Sequence, residues 1–279
     1  MKKSLLLLLL LAAVAAAALG LVMWWWWSRR RRQAEPFTSP LSPNMGNELG
    51  VINSGDITFP VKKGTGSGGK HAFVKDFKVS SDKGLVVRFM VKFHPGYEWG
   101  CKGKVAGLQV GPGASSGGRY SENGASLRLM WGANGGGYAY IYTPKGAFQH
   151  QTVPELKKEE KYGQTMFADV FNGSNKALAK DGFHEVDLGI KLNDVKPGTD
   201  QAAISSGQAV KLGNNTVYKN GKILFGIDGQ QRVQDGIIWR REVVSIQNFG
   251  MGVFHGGPCK AMKDSTMSFG EVRQYEWKD

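Results

Sequence analysis

The chain has 279 residues, with 36 Lys and Arg against 23 Asp and Glu, a formal charge of +13, and two cysteines, Cys101 and Cys259. That length suits one large folded unit plus a membrane segment rather than two full domains. The cysteine count excludes a disulfide-rich scaffold and a four-cysteine zinc site, and no metal-ligand spacing joins His71, His94, His150, His184 and His255.

Lys2, Lys3 and the run Arg29 to Arg32 hold six of the positive charges, so residues 33–279 keep a net +7. A basic surface attracts polyanions such as nucleic acid, anionic lipid or a polyuronate, although plain solubility explains it as well. No groove of interleaved aromatic and basic residues of recognised type stands out, so nucleic acid is not the expected partner. No metal or cofactor is expected.

Leu5 to Trp27 is an uncharged run of 23 residues. At about 1.5 Å rise per helical residue it is long enough for a bilayer core of roughly 30 Å. Trp24 to Trp27 would lie at the interface and Arg29 to Arg32 against headgroups, which predicts a single-pass anchor over residues 1–32. The competing reading is a cleaved leader, with Lys2 and Lys3 as its basic start and Ala15 to Ala18 as small-residue cut sites. The anchor is preferred because cutting there leaves an apolar, Trp-rich stub. Basic residues flank both ends, so charge assigns no orientation; an extracytoplasmic or virion-surface domain is the expectation.

Residues 33–56 carry Pro36, Pro40 and Pro43 among Ser, Asn and Gly without an apolar period, and read as a linker to a domain over 57–279. Within that domain Leu85, Val87, Phe89, Val91 and Phe93 alternate with Arg88, Lys92 and His94, the pattern of a strand with one buried face. Further strands are expected at Ile57–Val61, His71–Val79, Ser126–Trp131, Tyr138–Thr143, Phe183–Leu192, Lys222–Ile227, Ile237–Asn248 and Met267–Trp277. Short helices are expected at Glu155–Tyr162 and Asn175–Lys180. Many strands and Gly-rich turns imply an all-β fold, a two-sheet β-sandwich of the jelly-roll kind. Gly64, Gly66 and Gly69 fit a dinucleotide-loop spacing, but a strand rather than a helix follows, so a surface turn is expected.

Asn134-Gly135 is a strong hairpin-turn signal between two alternating runs. Leu127, Leu129, Trp131, Ala139 and Ile141 share the apolar face, and Ser126, Arg128, Met130, Tyr138, Tyr140 and Tyr142 share the other. With the turn near Asn134, Arg128 falls opposite Tyr140 or Tyr142. Taken alone, such a hairpin is most simply an exposed sheet face.

The stretch from Pro95 to Leu108, the run Ser126-Leu127-Arg128-Leu129-Met130-Trp131 and the run Gly137-Tyr138-Ala139-Tyr140-Ile141-Tyr142 together resemble polysaccharide lyase family 14. That family includes alginate and glucuronate-polymer lyases, several from large viruses of algae. Its active-site pattern of a lysine in G-K-x-x-G-L, a Ser-x-Arg strand and a Tyr-x-Tyr strand is matched by Lys104, Ser126, Arg128, Tyr140 and Tyr142. Ala106 stands where the family has proline, and 149–215 looks expanded.

The resemblance implies β-elimination on an anionic polysaccharide. Removing the C5 proton of a uronate places charge on its carboxylate, which the planar guanidinium of Arg128 can hold through paired hydrogen bonds. Lys104, Tyr140 and Tyr142 are the candidates for base and acid, unassigned by the sequence, and Ser126 is a positioning candidate. Trp99 and Lys102 are candidates for substrate contact, and a Cys101–Cys259 disulfide would tie the Lys104 loop to the late segment. The alternative is a noncatalytic carbohydrate-binding or virion structural protein on the same fold.

Overall fold

The computed structural model describes residues 37–66, 73–100, 102–113, 116–132, 135–153, 156, 162–171, 177–179, 181–256 and 260–279. The expected membrane span, both cysteines and His71 lie outside the described residues, as do most of the two expected short helices. Among the described residues no helix is long and apolar enough to cross a membrane.

Two large antiparallel sheets and one small one make up a mostly-β sandwich. The front sheet runs β3 (Phe73–Ser81), β15 (Ile246–His255), β5 (Gly103–Val110), β6 (Ala125–Trp131), β7 (Gly137–Tyr142), β8 (Gln164–Met166). In the back sheet the order is β1 (Met45–Asn53), β16 (Ser265–Trp277), β4 (Gly84–Phe93), β9 (His184–Lys191), β13 (Gly221–Ile227), β14 (Gln230–Ile237), with β2 (Ile57–Val61) also on β16. A small sheet of β10 (Val195–Pro197), β12 (Asn215–Tyr218) and β11 (Ala209–Leu212) stands apart, and two α-helices of a turn or so, α1 (Ala168–Phe171) and α2 (Gln201–Ser205), with a 3-10 turn at Phe148–His150, complete the described elements.

The core lies between the two large sheets. From the back come Leu85, Val87, Phe89 and Val91, and from the front Leu108, Leu127, Leu129, Ile141 and Phe249, all fully buried. Phe89 joins the layers, its ring 5.6 Å from that of Phe249 and 6.4 Å from that of Phe269. Burying each such side chain contributes about 1.5–3 kcal/mol, which fixes the parity of both sheets.

Three expectations are corrected. The reading of 33–56 as a linker fails because β1 lies within it, paired along β16. This is an edge strand broken by register shifts, and among its nine residues only Met45 is buried, so its sequence shows no alternation. The expected strand Ile237–Asn248 is two strands separated by a loop. There Asn193 Oδ1 accepts the Trp239 and Arg240 amides at 2.7 and 3.0 Å, satisfying backbone groups that a ladder would otherwise hold.

The third correction concerns β4, whose two faces are both covered. Arg88, expected in solvent, is fully buried on the outward face of the back sheet. It donates to Asp187 from Nε (2.7 Å) and Nη2 (3.0 Å), and to the carbonyls of Ser39 (2.8 Å) and Pro40 (3.0 Å). Glu185 accepts from the amide of Thr38 and, at 2.9 Å each, from its hydroxyl and from the Ser39 amide. Residues 37–40 therefore form a strap clipped across the sheet by buried charge. Farther along, Gly64 and Gly66 take left-handed φ of 86° and 110° ahead of β3, in keeping with a turn.

Candidate active site on the front sheet

The β6–β7 hairpin has the expected register. Ser126 pairs with Tyr142, Arg128 with Tyr140 and Met130 with Tyr138, and Gly135 supplies the turn's positive φ of 83°. Leu127, Leu129, Trp131, Ala139 and Ile141 all face the core. The opposite, outward face is less open than an exposed sheet would be. Ser126 and Tyr142 are fully buried and Tyr138 nearly so, which leaves Arg128 and Tyr140 partly reachable.

Strand β5 brings the lysine. Lys104 pairs with Met130 on one side and Phe254 on the other, whereas Gly107 pairs with Arg128 and Gln109 with Ser126. Residues 104 and 107 have opposite parity, and they share a face because a bulge falls between Lys104 and Ala106. Val105 and Leu108 are buried in the core as a result. Ala106, the departure from the family pattern, sits in that bulge.

Lys104 and Arg128 line a recess of about 70 Å³ together with Asp76, Gly107, Gln109 and Gly250. Lys104 Nζ lies 5.4 Å from the centre of the Tyr140 ring and 5.9 Å from that of Phe254. The hydroxyls of Tyr140 and Tyr142 are 3.5 Å apart, and Tyr142 accepts the Gly118 amide at 3.0 Å while its ring packs 5.1 Å from that of Tyr120. Tyr142 is thereby locked from behind, and Tyr140, half-exposed, is the phenol whose ring the amine faces.

Burial, and after it the Arg128 charge, push the Lys104 ammonium down to about 8. Tyr140 moves the other way: burial and then the Tyr142 hydroxyl hold its proton on well above the ordinary phenol value. Burial also lowers Arg128, with Tyr142, Asp76 and Tyr140 acting in the opposite direction. Its Nε is buried without a hydrogen-bond partner among the described residues. A partly exposed guanidinium with that nitrogen unpaired is a candidate to meet an anion from outside.

Lys104, Ser126, Arg128, Tyr140 and Tyr142 are thus brought together. Trp99 is not: its ring lies 4.6 Å from that of Phe93 and 4.9 Å from that of Tyr97, packed against the core. The side chain is half-buried there, at the edge of the core. Lys102 is exposed at the end of the same outward face, 5.8 Å from the Tyr138 ring. Asp76, Gln109 and Tyr120 went unnoticed in the sequence. Gln109 is displaced in parity by the bulge, and Asp76 and Tyr120 carry no local signal. Of the histidines, His184 bonds Asp228 and His94 bonds Ser268, both at 2.8 Å, while His255 is buried edge-on against Trp131.

With that geometry in place, similarity to known proteins decides the family. A sequence profile described as polysaccharide lyase 14 matches residues 52–206, more than half of the chain. The chain belongs to the polysaccharide lyase 14 family. Exolysin of Paramecium bursaria Chlorella virus 1 is 28% identical over 239 residues, covering 76% of this chain and 32% of its own, so the chain spans about a third of that relative. Among solved structures, alginate lyase vAL-1 from Chlorella virus superposes with a TM-score of 0.66 at 24% identity, over 84% of this chain and 90% of that one. The polysaccharide lyase 14 alginate lyase of Aplysia kurodai gives 0.57 at 18%, over 88% and 97%. A double mutant of alginate lyase Aly36B in complex with alginate trisaccharide gives 0.58 at 18%, also over 88% and 97%. These likenesses support the two-sheet fold.

Proposed function

We propose that this polysaccharide lyase 14 domain, a jelly roll in finer description, cleaves an anionic polysaccharide of the alginate or glucuronan type by β-elimination. The observation that carries the reading is the meeting of a lysine lowered to about 8 with a phenol raised above its usual value, beside a half-buried guanidinium whose Nε has no partner among the described residues. Such a divergence of two proton-carrying groups is the mark of an acid and base pair.

The substrate carboxylate binds Arg128, which stabilises the charge that develops as C5 loses its proton. Neutral Lys104 takes that proton. The electron pair forms the C4–C5 double bond, the C4–O bond breaks, and the departing oxygen receives the Tyr140 proton. The Lys104 ammonium then returns a proton to the Tyr140 phenolate. Ser126 and Tyr142, both buried, position their neighbours. Arg128 supplies the required cation, so the reading invokes no metal. The N-terminal apolar run remains, in this proposal, a tether that holds the domain at a membrane or particle surface.

Mixing the protein with alginate or glucuronan should generate the ultraviolet absorbance of unsaturated uronate ends, and Lys104→Met should abolish it while the variant stays folded. No absorbance from the wild type across both polymers and a range of pH would refute the lyase and favour a binding protein.

A further inference from the structure

The front sheet carries a row of side chains that crosses four strands in register: Asp76 on β3, Gly250 on β15, Gly107 on β5 and Arg128 on β6. At about 4.8 Å per strand, the two ends are roughly 14 Å apart along the backbone. The two middle positions hold no side chain, and the end residues lean inward over them. A Cβ at Gly107 would come within 2.6 Å of Arg128 Cγ, and one at Gly250 within 2.7 Å of Asp76 Oδ1. Neither glycine has positive φ; at Gly107 a Cβ would also meet the Leu127 carbonyl oxygen at 2.4 Å, so close strand approach requires that glycine, whereas at Gly250 only the Asp76 side chain is met. What they provide is a bare floor with a cation at one end and a carboxylate at the other.

Among the described residues lining the recess Asp76 is the single carboxylate, and it accepts no hydrogen bond from a described residue. An exposed carboxylate facing an acceptor-poor guanidinium across an empty floor is complementary to a uronate ring. One edge of that ring carries the carboxylate and the other carries hydroxyl donors.

We infer that Asp76 is a substrate-binding residue that accepts hydrogen bonds from the hydroxyls of the uronate lying over Gly250 and Gly107, and whose charge turns that sugar's carboxylate toward Arg128. This rests on the lyase reading above and adds the group that fixes the ring's orientation. A carboxylate is suited to the role because it accepts only and repels a second carboxylate.

The test compares wild type, Asp76→Ala, Asp76→Asn and Gly250→Ala, with thermal melting to establish that each is folded. Gly250→Ala retains the carboxylate and displaces it. Initial rates on alginate and glucuronan should show KM raised about tenfold or more in Asp76→Ala and Gly250→Ala, the loss expected for a hydrogen bond to a charged group, with a smaller change in kcat. Asp76→Asn should fall between them and the wild type. Electrophoresis in native gels containing either polymer reads binding without turnover and separates the two proposals. If the wild type is retarded yet inactive, and Asp76→Ala is retarded less, the lyase reading falls and this inference stands. Wild-type KM and retardation in the folded Asp76→Ala or Gly250→Ala variant overturns it, as does a wild type that neither cleaves nor binds.

Discussion

Two arginines sit on the outward faces of opposite sheets, Arg88 fully buried and Arg128 half-buried, and their surroundings differ. Arg88 on the back sheet has two carboxylates beside it and two carbonyls to donate to, and although burial opposes its charge, Asp187 and Glu185 outweigh that and raise its pKa. Arg128 on the front sheet has a buried Nε without a partner among the described residues, and burial wins. The satisfied cation closes a surface. The unsatisfied one keeps a place open for an anion that the fold does not contain.

The comparison breaks most visibly at Arg88. Replacing it by Met should cost about 3–5 kcal/mol in urea denaturation, because Asp187 and Glu185 are left buried without their cation. An unchanged midpoint would mean that the strap over residues 37–40 adds nothing to stability. Arg128→Met should do the reverse, leaving the midpoint equal or higher while cutting lyase turnover about 10²–10³-fold. A variant that loses stability and activity in parallel would make Arg128 another structural arginine. The smallest effect is in pH. Only the neutral Lys104 amine accepts a proton, and with its pKa at about 8 the neutral form declines as pH falls below that value. From about pH 6 to 8, kcat/KM should therefore rise about tenfold per unit and then level off. A flat profile over that range would assign the base elsewhere.

The hairpin was legible because both its determinants are local: a Gly at the turn and strict alternation on either side. Parity told which face Arg128 occupies, but it could not tell that Tyr142 on that face would be covered by Gly118 and Tyr120. Lys104 was found through the family pattern and not as part of a strand. Two glycines and a bulge erase the period of β5, and the same bulge hid Gln109. Arg88 was misplaced for the opposite reason. Its strand alternates cleanly, and nothing in that alternation announces a strap from 48 or more residues earlier. Burial by a distant segment is a tertiary event, written in the partner's sequence as Thr38 and Ser39, whose backbone and hydroxyl groups have no period to detect.

The strap also determines where mechanical load enters the domain. Tension arriving through the chain ahead of Phe37 meets the Arg88–Asp187–Glu185 clip first, then β1 sheared lengthwise against β16. Both lie on the sheet that does not bear Lys104 and Arg128. A domain hauled along a polymer by its amino-terminal end would take the strain across its back, and the recess would keep its shape under force.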